Sequence, residues 1–194
     1  MEKIKLLLFR MKCIGWIPLY YSLYLSNNFK LIMREMHIWQ EKLVVKRFKY
    51  DILSFIHLMA ELEEFRSLVA FRSNFPIPFK QKLYFYTKND QIDEGLILHH
   101  GFSTVVFADR IGKNCQIWQN VTIGRNGRTN NCPHIGENVK IHSHSVIVGD
   151  ITIGDNVTIG ASCVVTKNVP SNCTVVGNPA KIIKLNGKKV SIKL

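Results

Sequence analysis

The sequence predicts an α+β protein in two parts: a helical domain over residues 1–85, then a parallel β-helix of hexapeptide repeats over residues 86–194 that ends in a C-terminal tail. Three observations predict it. Ile147, Ile153, Ile159 and Val165 fall six residues apart in VIVGDITIGDNVTIGASCVVT, a spacing that suits neither a helix nor an ordinary strand. Residues 30–72 contain neither Gly nor Pro and show apolar residues at helical steps. Near residue 85 the vocabulary changes to Val, Ile, Thr, Gly and Asn.

The opening MEKIKLLLFRMKCIGWIPLYYSLYL is interrupted by Lys3, Lys5, Arg10 and Lys12. Its uncharged stretch Cys13–Leu25 falls short of the ~20 residues that span a bilayer. No small-residue cleavage site follows a clean apolar region, so no signal peptide is expected. A first helix packed into a helical domain is the simplest reading, with a basic amphipathic segment resting on a membrane as the alternative. Next, residues 30–72 read as helix, and Ile52, Phe55, Ile56, Met59, Leu62 and Phe65 form an amphipathic stripe. Asn74, Pro76 and Pro78 stop it. His37 and His57 have no ligand-like neighbours in sequence and read as structural or solvated.

From residue 105 the six-residue step is systematic. Positions 105, 111, 117 and 123 are Val, Ile, Ile and Ile, and positions 135 to 165 continue it. Four residues after each start stand Cys115, Val121, Val139, Ser145, Ile151, Val157 and Cys163. Gly112, Gly124, Gly136, Gly154 and Gly160 follow the first position. Alternation within a strand would bury positions 1, 3 and 5; the pattern is 1 and 5, so a corner intervenes, and Gly permits the tight turn. Each unit buries its apolar face only by stacking on its neighbours. One beat is skipped, across GRNGRTNNCPH.

Charge and cysteines bound the function. The formal net charge is +12, from 26 Lys and Arg against 14 Asp and Glu, which suits an anionic partner: nucleic acid, a membrane surface or a phosphorylated small molecule. No aromatic-plus-basic RNA motif or recognition helix supports nucleic acid. Five cysteines without a C-x-x-C pair indicate neither a disulfide framework nor a zinc ribbon, and reduced thiols point to the cytoplasm. His142 and His144 alternate as H-S-H, but a third metal ligand is lacking in sequence, so no metal is expected and both read as corner residues at a subunit boundary.

Residues 88–185 resemble the hexapeptide-repeat acyltransferases, which implies a left-handed triangular β-helix. GLILHHGFSTVV, IGKNCQIWQNVTIG with the loop after it, and VTKNVPSNCTVVGNPAKIIK resemble the serine acetyltransferase branch, as does a helical N-terminal domain. The resemblance implies His100, before Gly101, as the general base, acting on the acceptor hydroxyl without an acyl-enzyme. It implies acetyl-CoA as donor. In galactoside-type relatives coenzyme A is contacted from positions matching Ser143, Ala161, Thr166, Lys167, Lys181 and Lys184, and the three lysines would supply cations for its phosphates. It also implies a homotrimer with sites between subunits, extended to a hexamer if the helical domain takes part, in the cytoplasm or at the inner face of the membrane.

The chain departs from that branch. Where the branch has Asp before the base, this chain has His99; where it has a supporting Asp fifteen residues earlier, Phe85; where it has His before Pro, Cys132 before Pro133. Asp90, Asp93, Glu94 or Asp109 could supply the missing carboxylate, and His134 could partly compensate in substrate binding. Trp118, eighteen residues after His100, is expected to stack beside it, either as a platform for a sugar ring or as a partly exposed packing residue. These departures lead to an expected O-acetyltransferase of a sugar or glycan precursor in surface polysaccharide synthesis. The alternative is a serine O-acetyltransferase of cysteine biosynthesis. A β-helical scaffold without activity is the third reading.

Overall fold

The computed structural model describes residues 13–43, 45, 47–78, 83–128 and 130–194. They fall into two compact units that divide between Gln81 and Lys82. The basic segment before Cys13 lies outside the described residues.

In the first unit, helices α1 (Ile17–Tyr24), α2 (Phe29–Lys42), α3 (Asp51–Glu61) and α4 (Glu63–Ser73) follow one another. The single helical run expected over residues 30–72 is therefore broken twice. Tyr50 is extended at φ −115°, ψ 134°, and Leu62 at φ −110°, ψ 109°. Neither break carries Gly or Pro, so no local signal marks it. Tertiary packing overrides propensity here, because Phe55, Ile56, Met59 and Phe65 all remain buried across the Leu62 break. Asn74 ends α4 at φ 56°, the left-handed geometry that Asn tolerates. Glu35 and Arg72 form a fully buried ion pair at 2.7 Å beneath this core.

The second unit is a triangular parallel β-helix, left-handed like the family it resembles. The chain cycles over three faces. Face 1 stacks β2 (Ile97–His99), β5 (Gln116–Trp118), β8 (Lys140–Ile141), β11 (Thr158–Ile159) and β13 (Cys173–Val176). Face 2 stacks β1 (Tyr84–Phe85), β3 (Val105–Val106), β6 (Thr122–Gly124), β9 (Val146–Val148) and β12 (Val164–Val165). Face 3 stacks β4 (Arg110–Ile111), β7 (His134–Ile135) and β10 (Thr152–Ile153). Antiparallel strands β14 (Lys181–Leu185) and β15 (Lys188–Lys193) then extend face 1 to seven strands. Tyr84 and Phe85, placed with the helical part by the sequence, pair with Val105 and Val106 and so belong to the β-helix.

The hexapeptide works by a division of labour. Its inward first residues, including Ile111, Ile117, Ile135, Ile141, Ile153 and Ile159, are fully buried or nearly so. The tight turn is not made by the following Gly. It is made two residues later, where Asn114, Asn120, Asn138, His144, Asn156 and Ser162 have φ between 56° and 61°. Gly is needed for a different reason. A Cβ on Gly112 would stand 2.7 Å from the Gly136 backbone carbon, and one on Gly154 would stand 2.6 Å from the Ser171 nitrogen, both in the next coil. At one corner the left-handed residues also bond to each other: Asn138 donates to Asn156 Oδ1 at 3.2 Å, and Asn156 to Asn172 Oδ1 at 3.0 Å.

One register differs from the expected one. Val106, not Val105, points inward, pairing with Ile123 and fully buried. Two extra residues in the corner after β2 push the repeat forward, and a shortened five-residue step from Val106 to Ile111 restores it.

Candidate active site

His100 stands at the edge between faces 1 and 2, and its coil differs from the others there. His99 pairs with Trp118, and Asn120 N–H donates to Phe102 O, so Phe102 sits opposite Gln119. His100 and Gly101 are thus a two-residue insertion that neighbouring coils lack. It lifts the exposed His100 imidazole out of the regular wall, at φ 48°.

Trp118 does not take the place expected beside His100. The insertion and the short step make this coil nineteen residues long on face 1, so Trp118 stacks on His99, with ring centroids 4.1 Å apart and planes 12° from parallel. On its other side lies His142, at 4.3 Å and 30°. His99 donates from Nε2 to Gln116 Oε1 at 3.1 Å, which fixes its ring in the column. Burial, and secondarily the Lys140 charge, hold the His142 pKa below its ordinary value. His142 is therefore a stacking residue, and His144 a left-handed corner residue 3.4 Å from the Asn120 amide. The sequence reading missed this column because ring pairing depends on coil register, which the insertion altered.

Going from coil to coil along this edge, Phe102 is followed by Gln119, Ser143 and Ala161. Ser143 O accepts from Ser162 N at 2.9 Å, keeping the corner tight. Gln119 Oε1 is buried and has no protein partner, a polar atom left over beside the insertion. Lys181 and Lys184 lie exposed on β14. The other candidates lie elsewhere in the chain. Thr166 and Lys167 are exposed at the edge between faces 2 and 3, and His134 is exposed on β7 of face 3, by the same edge. The site residues thus lie in two places on one prism, along face 1 and its edge with face 2 and at the edge between faces 2 and 3, and no single edge brings all of them together.

Three of the four carboxylates considered for His100 have partners elsewhere. Arg110 makes two 2.9 Å hydrogen bonds to Asp93, Glu94 lies 3.8 Å from Lys113, and Asp109 Oδ2 accepts from Cys132 N at 3.2 Å. That last bond anchors the end of the long loop just before Pro133 and His134. Asp90 lies in a short 3₁₀ turn, Asn89–Gln91. Among the described residues no group of three or more His, Cys, Asp or Glu is disposed to hold a metal ion. An apolar pocket of about 300 Å³ in the helical unit, lined by Trp16, Leu19, Phe75 and Ile77, carries no candidate catalytic group.

Coenzyme A needs a smooth groove with backbone partners for its pantetheine arm and cations for its phosphates. The small residues Ser143 and Ala161 on one edge and the exposed Lys181 and Lys184 fit those needs.

Comparison with known proteins agrees with the architecture. Residues 132–167 match the family described as bacterial transferase hexapeptide (six repeats). The chain is 44% identical over 103 residues to a serine acetyltransferase of Staphylococcus xylosus, covering 52% of this chain and 48% of that protein. It is 38% identical to one from Synechococcus elongatus over 52% of this chain and 42% of that protein. The chain thus spans about half the length of the curated relatives it matches. In structure it resembles the serine acetyltransferase of Neisseria gonorrhoeae solved in complex with serine. The TM-score there is 0.65 at 25% identity, over 85% of this chain and 73% of that one. A Brucella abortus serine acetyltransferase in complex with coenzyme A shares the fold, with a TM-score of 0.61 at 22% identity, over 84% of this chain and 68% of that one.

These findings overturn the expected polysaccharide O-acetyltransferase. Every relative and structural neighbour cited is named a serine acetyltransferase, which agrees with the alternative reading. The expectation rested on three side chains, His99, Phe85 and Cys132. Loss of one set of contacts does not specify a different acceptor, whereas the sequence match extends over 103 residues.

Proposed function

We propose that this chain, a hexapeptide-repeat acyltransferase in fold and sequence, transfers acetyl from acetyl-CoA to the hydroxyl of serine. The observation that carries the reading is the exposed His100 on its two-residue insertion, within a chain 44% identical over 103 residues to a serine acetyltransferase. The likeness to a structure holding serine supports the acceptor.

In this reading the His100 imidazole takes the hydroxyl proton as the serine oxygen attacks the thioester carbonyl. The tetrahedral intermediate collapses with cleavage of the C–S bond, and the imidazolium returns the proton to the departing thiolate. The products are O-acetylserine and coenzyme A, with no acyl-enzyme. General-base assistance of this kind contributes about 10²–10⁴ in rate. Gln116, through its bond to His99, and Trp118 stiffen the strand end from which His100 projects. Ser143 and Ala161 would take the pantetheine arm, and Lys181 and Lys184 the phosphates. Gln119, whose buried Oε1 has no protein partner beside the insertion, would line the acceptor side.

The working unit is a homotrimer. His100, Ser143 and Ala161 lie at one edge of the prism, and His134, Thr166 and Lys167 at another. In a closed ring of three copies the first edge of each chain can face the second edge of its neighbour, which completes the site.

The test is acetyl-CoA consumption by the full chain with L-serine as acceptor, with O-acetylserine identified by mass spectrometry. Serine-dependent release of coenzyme A supports the reading. Its absence, with coenzyme A still bound, rejects serine as the acceptor.

A further inference from the structure

The C-terminal hairpin sets a lysine of β15 opposite each of the two lysines already given to the phosphates, which their assignment alone does not explain. On β13 and β14, Val175 pairs with Ile182, Val176 with Lys181 and Thr174 with Lys184, and Ile183 is the extra residue at the irregularity between them. Val175 and Ile182 are buried, so Val176, Lys181, Thr174 and Lys184 share the outward face. On β15, Lys193 stands directly opposite Lys181, and Lys189 opposite Lys184. All four lysines are exposed.

Directly opposed residues in an antiparallel pair have Cβ atoms about 4.5–5.5 Å apart, and like charges there destabilise the pair. The chain has no Asp or Glu after Asp155, but it has Lys167, Lys181, Lys184, Lys188, Lys189 and Lys193. Lysine on an exposed edge strand discourages aggregation, and β15 is such an edge. That function does not require lysine opposite lysine on β14, which is paired on both sides.

The position of the cluster indicates its ligand. Lys181 and Lys193 continue the outward row that runs His99, Trp118, His142, Gly160, Val176. Gly160 keeps the middle of this row low, since a Cβ there would stand 2.9 Å from Val176 Cγ1. From His99 to Lys181 is five strand steps, about 24 Å at ~4.8 Å each. One strip therefore has the candidate base beside one end and paired cations at the other. It suits an elongated ligand with its reactive group at one end and several phosphates at the other.

We propose that Lys189 and Lys193 on β15 close a four-lysine clamp with Lys184 and Lys181 around the phosphates of the acetyl donor's nucleotide. This deepens the coenzyme A reading and rests on it. The anion offsets the cross-strand repulsion that the free hairpin carries.

The test measures coenzyme A binding by calorimetry at low salt, using the full chain and the Lys189→Ala/Lys193→Ala double variant. The variant should bind about tenfold more weakly, the sum expected of two solvent-screened contacts, and the gap should shrink as salt rises. Pantetheine, which lacks the phosphates, should bind both proteins alike. Without ligand the variant should melt no lower than the wild type, because the substitution removes repulsion; a purely structural role predicts a lower melting temperature. Equal coenzyme A affinity in the two proteins would overturn the clamp. So would unchanged coenzyme A affinity combined with lost binding to anionic phospholipid vesicles, which would make the hairpin a membrane contact. Wild-type protein that fails to bind coenzyme A at all would reject the donor reading as well, a result distinct from failure of the clamp alone.

Discussion

Trp118 lies flat against His99, ring centroids 4.1 Å apart, and His142 covers the opposite face of the same indole. The column is built from alternate-face residues of three successive coils, so its geometry follows from the strand register. At the His142 end of the column the pKa is lowered by burial and then by Lys140. The unfolded chain takes up this proton near pH ~6.5, while the folded chain resists it. Stability is therefore lost as pH falls from about 6.5 toward the folded-state value, and the group contributes nothing above that window. His142→Phe, which stacks but does not titrate, should lose less stability than wild type between pH 7 and pH 5 in urea unfolding. Identical slopes would mean that His142 titrates normally.

The division of labour in the hexapeptide predicts two kinds of damage. Gly112→Ala and Gly154→Ala push a methyl into the backbone of the next coil and should each cost about 1–3 kcal/mol, as overpacking does. Asn138→Ala retains the space but forces alanine to φ 56° and removes a ladder bond, costing about 1–2 kcal/mol, whereas Asn138→Gly should cost less. Urea midpoints rank the four variants. An Asn138→Gly as damaging as Asn138→Ala would assign the cost to the ladder rather than to the turn.

Burial pushes the Cys115 thiol up to about 12 and also raises Cys163 and Cys173. Thiolate is the reactive form, so iodoacetamide at pH 8 should leave these three unmodified in the native protein and label them only in denaturant. Rapid native labelling of Cys115, detected by peptide mass spectrometry, would show that the coils open readily.

Sites shared between chains predict complementation. His100→Ala and Lys167→Ala change different edges of the prism. Unfolded and refolded together, the two inactive or weakened variants should regain part of the wild-type rate, because some interfaces receive both intact residues. Activity that never exceeds the average of the two separate variants would place the site within one chain.

The β-helix was legible because stacked coils repeat their burial every six residues, and Ile at positions 111, 117, 135, 141, 147, 153 and 159 records it. Asn three residues after several of these positions was an equally good turn signal, masked by the more familiar Gly. The register of Val106 and the partner of Trp118 were not legible. A two-residue insertion at His100 and a short step after Val106 nearly cancel, so the period continues while the rings change partner. The breaks at Tyr50 and Leu62 left no trace, since packing rather than Gly or Pro makes them. At the site, His100 is proposed as the base from its motif context, and the structure adds the insertion on which it stands. The opposition of Lys181 to Lys193 and of Lys184 to Lys189 required the hairpin register.

The central claim is that His100, displaced from the coil wall by its insertion, is the base for acetyl transfer to serine. The most direct measurement compares serine-dependent release of coenzyme A by wild type and His100→Ala, alongside coenzyme A affinity for both. The account predicts a rate loss of about 10²–10⁴ with affinity nearly unchanged, because the donor is held by other coils. A His100→Ala variant that transfers acetyl to serine at the wild-type rate would contradict it.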